Sequence, residues 1–498
     1  MTAVYAPEGR LTTGVPGLDL VLDGGFLRGG VYILQGQPGA GKTILGNQMC
    51  FHKAASGGRA LYITLLAESH SRMMAHIGAL SFFDLSAIPD RLSYLSAFRE
   101  LENNGLEALL GLIRREMRTS QASLLVLDGL VAAEESATSA REFKKFIHEL
   151  QTLTAINDST TFLLTSTGAS PLPLAAEHTM VDGVIDMSNR LYGRRSERDL
   201  QVLKRRGGGY LQGRHSFRIT SKGIIVHPRT EALLRRPTQA DSPDRGRMTI
   251  GVDGLDKALG GGLLHPTTTL VIGPAGIGKT TLGLHFLSGC DVDEPGLLFG
   301  FYETPERIAS HAKSLNLPLA EHLSSGTVEV LWQPATEGLL DEICERIVAS
   351  VRRRKVKRLF LDGVDGLSKL AVEPDRVSHA MSALTNELRA LGVTTLYSSE
   401  AELGAPVLGN AYAGLSVKGV SAVAENAIVM RFINRNAAHY RIISVLKARN
   451  SAIDDHWHTY RMTDAGIIVE PDAGQAERVL ESLTHARNGQ CNPPIQEH

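Results

Sequence analysis

The chain has 498 residues, and its 52 lysines and arginines against 53 aspartates and glutamates leave a formal net charge of −1. No long-range basic field therefore draws it to nucleic acid or to an anionic membrane surface. Hydrophobic residues at 43% and charged residues at 21% are the proportions of a chain that buries a core, which excludes a disordered or fibrous protein.

Met1 to Arg10 lacks the basic-then-apolar pattern of a secretory signal, and no apolar run approaches the roughly 18 residues of a membrane span, so a cytoplasmic protein is expected. Val31 to Leu34 is a short apolar run that leads into Gly36-Gln-Pro-Gly39-Ala-Gly41-Lys42-Thr43 and then into helical periodicity. Strand, loop and helix are the context that G-x-x-x-x-G-K-[ST] requires. Gly36, Gly39 and Gly41 let the backbone turn its N–H groups onto phosphate, and the helix N-terminus adds positive potential. Lys42 reaches the outer phosphates and Thr43 offers Mg²⁺ a hydroxyl, so ATP or GTP with Mg²⁺ is expected.

The next apolar run starts at Ala60 and leads to Glu68, at the sheet edge where α/β folds hold ligands. Glu68 is the candidate to orient or deprotonate an attacking water. Leu124 to Asp128 is an apolar strand ending in a carboxylate, placed to hold Mg²⁺ opposite Thr43. Lys204 and Arg206 alternate along a strand and so share a face. Far in sequence from their own loop, they suit the nucleotide of a neighbouring subunit.

After Ile224 to Pro228 the chain becomes aperiodic and rich in Arg, Pro, Asp and Ser, and residues 231–247 are read as a linker. The first pattern then returns. Gly254-Leu-Asp256 repeats Gly17-Leu-Asp19, and Gly273, Gly276, Gly278, Lys279 and Thr280 repeat the loop, with the two lysines 237 positions apart. Glu303 follows its strand as Glu68 does, Asp362 answers Asp128, and Lys447 with Arg449 answers Lys204 with Arg206. A period this long lies far beyond the roughly 20–50 residues of solenoid or propeller repeats, and it suits a duplicated α/β domain. The expected domains are 1–230 and 248–472, with a mobile tail over 473–498.

Three other features are read as structural. The basic run Arg352 to Arg358 sits where a helix must end, which complements the helix dipole. Asp454, Asp455, His456 and His458 lack the cysteines or second histidine pair of a metal site. The four cysteines are far apart without C-x-x-C spacing, as expected of reduced thiols.

From Leu11 to about Glu470 the chain resembles the KaiC family within the RecA superfamily. The resemblance rests on both phosphate loops, on the lead-ins Thr13 to Asp19 and Ile250 to Asp256, and on the block Val202 to Gly207 with Phe217 to Ile224. It implies an α/β protein of two tandem RecA-like P-loop domains, each a mostly parallel sheet flanked by helices with a C-terminal β-hairpin region. It also implies a two-tiered homo-hexamer with ATP at subunit interfaces, where Lys204, Arg206, Lys447 and Arg449 touch the neighbour's phosphates. ATPase activity is implied for the first tier and, in the family's clock members, autokinase and autophosphatase activity for the second. The family pattern has two adjacent glutamates after the strand, whereas Ala67-Glu68 and Tyr302-Glu303 keep only the second. Its adjacent Ser and Thr phosphosites correspond to Ser421 and Ala422, which leaves Ser421 for autophosphorylation. The expected function is a slow Mg²⁺-ATPase that acts as a switch or timer toward a protein partner. A DNA-dependent recombinase- or helicase-type ATPase and a non-catalytic nucleotide-gated scaffold remain open on the residues alone.

Overall fold

Val31–Gly36 (β1) has no polar alternation, and all six of its residues are buried because layers cover both of its faces. Tyr32 and Leu34 pack with Leu45 and Met49, whereas Val31 and Ile33 pack with Leu109 and Phe146 on the opposite side. These relations come from a computed structural model, which describes residues 9–67, 70–166, 179–238, 246–401, 423–435 and 438–470, together with Gly474, Ala476 and Arg478. The tail expectation for 473–498 lies almost wholly outside the described residues.

The other strands of the first sheet are Ala60–Thr64 (β2), Leu92–Ser96 (β3), Leu124–Asp128 (β4), Thr160–Ser166 (β5), Gly183–Tyr192 (β6), Arg195–Arg205 (β7), Arg214–Thr220 (β8) and Gly223–His227 (β9). Nine strands run in the order β9-β8-β7-β6-β1-β5-β4-β2-β3. The pairings from β6 through β3 are parallel, and those from β6 through β9 are antiparallel. Lys42–Ala55 (α1) lies with β8 and β9 on one face, and Phe98–Ser120 (α2) with Ala140–Ile156 (α3) covers the other.

The second sheet comprises Thr268–Gly273 (β10), Gly296–Gly300 (β11), Val328–Trp332 (β12), Arg358–Asp362 (β13), Thr394–Glu400 (β14), Asn426–Arg435 (β15), Ala438–Ala448 (β16), His458–Thr463 (β17) and Gly466–Val469 (β18). Its order, β18-β17-β16-β15-β10-β14-β13-β11-β12, is the same topology. Lys279–Ser288 (α4) packs on the β17–β18 side, while Leu340–Arg354 (α6) and Pro374–Ala390 (α7) cover the opposite face, and Pro305–Ser314 (α5) follows β11. The two α/β units are thus RecA-like in tandem, each a mostly parallel sheet ending in a β-hairpin. No helix among the described residues is long and apolar enough to cross a membrane. Cys50, Cys290 and Cys344 are buried and free.

The chain divides between Leu233 and Leu234. At the start of the stretch read as a linker, the helical turn Thr230–Leu233 carries the first unit on to Leu233, whereas Leu234 joins an apolar cluster of the second. Thr238 donates to the Glu387 carboxylate through its N–H (2.8 Å) and its hydroxyl (2.6 Å), and Arg352 adds a bond of 2.7 Å. Glu387 is fully buried, and a carboxylate out of water needs such partners.

Each terminal hairpin is tied to the helix that starts at the phosphate loop. In the first unit Gln48 on α1 accepts from Ile224 N–H (2.7 Å) and donates to Ile224 C=O (3.2 Å). In the second, 237 positions on, His285 on α4 accepts from Ile467 N–H through Nε2 at 3.0 Å. Burial pushes the His285 imidazole below the usual histidine range, with a backbone bond to Gly251 opposing. A protonated Nε2 could not accept that bond, so the folded unit holds His285 neutral, while the unfolded chain protonates it near its ordinary value. Stability is therefore complete above about pH 6.5 and is lost as pH falls from there toward the lower folded value. Urea unfolding of the second unit between about pH 7.5 and about pH 5.5 should show the midpoint falling with acidity. His285→Gln, which offers the same acceptor as Gln48, should flatten that slope; an unchanged slope in the variant would show that other groups set it.

Candidate nucleotide sites

The first loop closes at Gly41, whose φ of 104° is left-handed and caps α1 where a β-carbon would press on Ile219 at 3.0 Å. A β-carbon on Gly36 would stand 2.0 Å from the Met187 carbonyl, so the loop also needs glycine where β1 passes β6. Lys42 extends from the first turn of α1 and donates through Nζ to the carbonyls of Gly36 (2.7 Å) and Gln37 (3.0 Å). Partial burial pushes its ammonium below the usual lysine range, and the charges of Asp128 and Asp186 oppose the shift. Thr43 donates from its hydroxyl to Asp128 Oδ2 at 3.1 Å, which brings the loop and the end of β4 together. Tyr62 donates to the same oxygen at 2.6 Å.

The second loop repeats the arrangement. Gly278 has φ 115° and caps α4. Lys279 Nζ donates to the carbonyls of Gly273 (2.7 Å) and Pro274 (2.8 Å), and Thr280 donates to Asp362 Oδ2 at 2.8 Å. Burial lowers the Lys279 pKa, with Glu400 the foremost opposing charge, followed by Asp362 and Asp365. Asp362 is held differently from Asp128. Ser398 on β14 donates to its Oδ1 at 2.6 Å and accepts from Gly363 N–H at 2.7 Å. Burial raises the Asp362 pKa, the bonds from Ser398 and Thr280 lower it, and the negative charge of Glu303 raises it.

Tyr62 and Ser398 were not among the residues expected from sequence. Tyr62 had a visible signal, since a tyrosine within an apolar strand needs a partner for its hydroxyl. Ser398 had none, because only strand order puts β14 beside β13.

Glu303 lies in the turn after β11, before α5, with a carboxylate oxygen 3.9 Å from His311 Nδ1. Glu68 and Ser421 lie outside the described residues. Lys204 donates to the Thr179 carbonyl at 2.9 Å, and Arg206 reaches the same oxygen at 3.0 Å. Lys447 donates to the Ala424 carbonyl at 2.7 Å, and Arg449 N–H donates to Glu425 C=O at 3.2 Å. The register sets where these pairs lie. Lys204 is level with Val184 and hence with Ile33, near the start of β1, whereas the phosphate loop leaves β1 at its far end, after Gly36. Lys447 is likewise level with Ala427 and Leu270, near the start of β10. Each basic pair thus occupies the rim of its sheet opposite its own phosphate loop. Asp454, Asp455 and His456 do cluster, but Asp454 is bonded to His456 Nδ1 (2.6 Å) and His458 Nε2 (3.2 Å).

The donor sets fit a nucleotide with its cation. A threonine hydroxyl and a carboxylate that already touch are hard oxygen donors converging on one point, as Mg²⁺ requires. Beside each, a lysine ammonium donates to its own loop's carbonyls. At Gly39 and Gly276, on the crests of the loops, a β-carbon would meet nothing within 4 Å, so phosphate can approach the backbone closely.

A family model described as "ATPase: KaiC" matches residues 11–231 and again residues 248–474. The circadian clock oscillator protein KaiC of Picosynechococcus sp. is 25% identical over 495 residues, covering 95% of this chain and 91% of its own. KaiC 1 of Synechocystis sp. is 26% identical over 494 residues with the same two coverages, 95% and 91%. KaiC of Synechococcus elongatus is 23% identical over 491 residues, again at 95% and 91%.

The different supports of the two aspartates can be separated by substitution. Tyr62→Phe should cost the first unit about 1.5–3 kcal/mol in denaturant unfolding, the range for a hydrogen bond to a charged group. Ser398→Ala should cost the second unit a similar amount, leaving the first unit's transition in place. A Tyr62→Phe protein as stable as the parent would mean that Asp128 does not depend on the phenol.

Proposed function

The chain belongs to the KaiC family of ATPases, and from that premise we propose that it binds Mg²⁺-ATP at both loops, hydrolyses it slowly within a ring and works as a switch or timer. The observation that carries this reading is the duplicated Lys, Thr and Asp constellation: Lys42, Thr43 and Asp128 in one unit, and Lys279, Thr280 and Asp362 in the other.

Lys42 and Lys279 would exchange their loop carbonyls for the outer phosphates, gaining anionic partners for charges that burial disfavours. Mg²⁺, held through Thr43 with Asp128 and Thr280 with Asp362, supplies neutralisation of the charge on the outer phosphates. Glu303, and Glu68 in the first domain, would orient the attacking water and accept its proton. The rate then depends on how well each glutamate is aimed, and a lone carboxylate in place of a pair suits slow turnover.

The placement of the basic pairs supports a ring. Lys204 with Arg206, and Lys447 with Arg449, sit too far from their own loops to stabilise charge there, so they suit a neighbour's nucleotide, as trans-acting cations do. A homo-hexamer with nucleotide between subunits uses all four residues. Ser421 is the hydroxyl we assign to autophosphorylation in the second domain. A near-neutral chain gives no reason to expect nucleic acid as a cofactor of turnover.

Turnover with γ-³²P-ATP and Mg²⁺ reads phosphate release and protein-bound label together. Release should be unaffected by single-stranded DNA, and label should vanish in Ser421→Ala. The double variant Lys42→Ala, Lys279→Ala should turn over at least about a hundredfold more slowly, the scale of losing a preorganised charge on the transition state. Tight ATP binding without release would replace this reading with a nucleotide-gated scaffold, and stimulation by DNA would replace it with a recombinase-type ATPase.

A further inference from the structure

We propose that His311 is a positioning residue for Glu303, holding that carboxylate in place at the second nucleotide site. The proposal rests on the reading of Glu303 as the group that orients water.

Both members of the pair recur with the duplication. Glu68 and His76 are eight positions apart, as are Glu303 and His311, and each pair is shifted by 235. Eight positions is about one turn beyond the spacing at which neighbours on one helix meet. Glu303 is also not on the helix, since it precedes the cap Thr304 and α5 begins at Pro305. The 3.9 Å contact between Glu303 Oε2 and His311 Nδ1 therefore comes from the fold of the β11–α5 connection, not from helix periodicity. The two side chains are 34% and 32% exposed, so the pair is anchored on one side and open to water on the other, as a water-orienting group must be.

The charges give the pair a purpose. Asp362, the partner of Thr280, feels the negative charge of Glu303, so two carboxylates approach one another at the site. Such neighbours repel, and a cation beside the outer one holds it ionised and in place. His311 is suited to that role. The Glu303 carboxylate beside it holds it above the usual histidine range, burial opposes, and the charge of Asp362 adds to the rise. At 3.9 Å the two groups lie beyond hydrogen-bond reach, and the attraction is between charges.

Other ionisable groups on the elements packed against α5 are engaged elsewhere or exposed. His322 is bonded to Ser288 C=O, Glu329 to Arg353, and Glu321 faces solvent. Tyr302, adjacent to Glu303, is turned to Lys369, whose ammonium lies 5.4 Å from its ring centre and 3.3 Å from its hydroxyl. Among the described residues Glu303 forms its ion pair with His311.

The test uses the full chain carrying Glu68→Gln, so that turnover reports the second site, with ATPase kcat and KM measured for His311→Ala, His311→Asn and Glu303→Gln added singly. His311→Ala should lower kcat about tenfold with KM unchanged, the scale for losing a group that orients a ligating or reacting one. His311→Asn, whose amide nitrogen sits close to the position of Nδ1 but carries no charge, should recover only part of the loss. Thermal melts of the three variants separate this from misfolding. If His311→Ala keeps the parent kcat, or loses kcat and KM together with no recovery in His311→Asn, the positioning role is wrong while the reading of Glu303 stands. If Glu303→Gln retains the parent rate, or the parent does not turn over, the reading of Glu303 itself fails and the proposal fails with it.

Discussion

A lysine ammonium held partly out of water and hydrogen-bonded to its own loop's carbonyls is the constraint around which each domain is arranged. Burial disfavours the charge of Lys42 and Lys279, which limits how deep either ammonium can sit. The loop that carries them needs left-handed glycines at Gly41 and Gly278. The helices that begin there must be held at a fixed angle to the sheet. That is the work of the terminal hairpin, which packs against those glycines and grips α1 through Gln48 and α4 through His285. The hairpin, more than 175 residues away in sequence from the helix it grips, is thus part of the phosphate site's support.

The two domains keep this plan while differing in the groups that carry it out. Asp128 takes its extra bond from Tyr62 on one neighbouring strand, and Asp362 takes its extra bond from Ser398 on the strand at its other side. Both solve one problem, a carboxylate at the end of a buried strand that must be held in place. The amide of Gln48 and the imidazole of His285 likewise serve one hairpin contact, but only the imidazole can take up a proton. Glu400 stands near Lys279 where the matching end of β5 has Ser166, so the second lysine sits in a more acidic setting. After duplication the backbone plan stayed and the side chains that meet its requirements diverged, which leaves the two sites with different electrostatics on one topology.

Parallel strand order also separates two kinds of cation. Loops leaving the C-terminal ends of β1 and β10 carry the lysines, and the opposite rim carries Lys204 with Arg206 and Lys447 with Arg449. A bulge next to each basic pair, at Leu203 and at Leu446, shifts the register and leaves those two leucines exposed. In both domains the pair therefore emerges at the same place by the same local irregularity.

Sequence alone determined the duplication, the phosphate loops, the two strand-ending aspartates and the α/β class, because those depend on short-range patterns: a strand run, a loop of fixed length and a helix start. It read each basic pair as sharing a strand face, whereas β7 ends at Arg205 and β16 at Ala448, one residue short of Arg206 and Arg449. It did not determine that 234–238 pack onto the second domain, since that depends on a buried Glu387 supplied by a distant helix. Nor did it determine Tyr62 and Ser398 as partners of the aspartates, His311 as the partner of Glu303, or the rim on which each basic pair lies. Those relations follow from strand order and from how connections fold back, which bring together residues separated by anything from a few positions to most of a domain. Periodicity reports which face of its own element a residue occupies, and only the tertiary structure decides what that face meets.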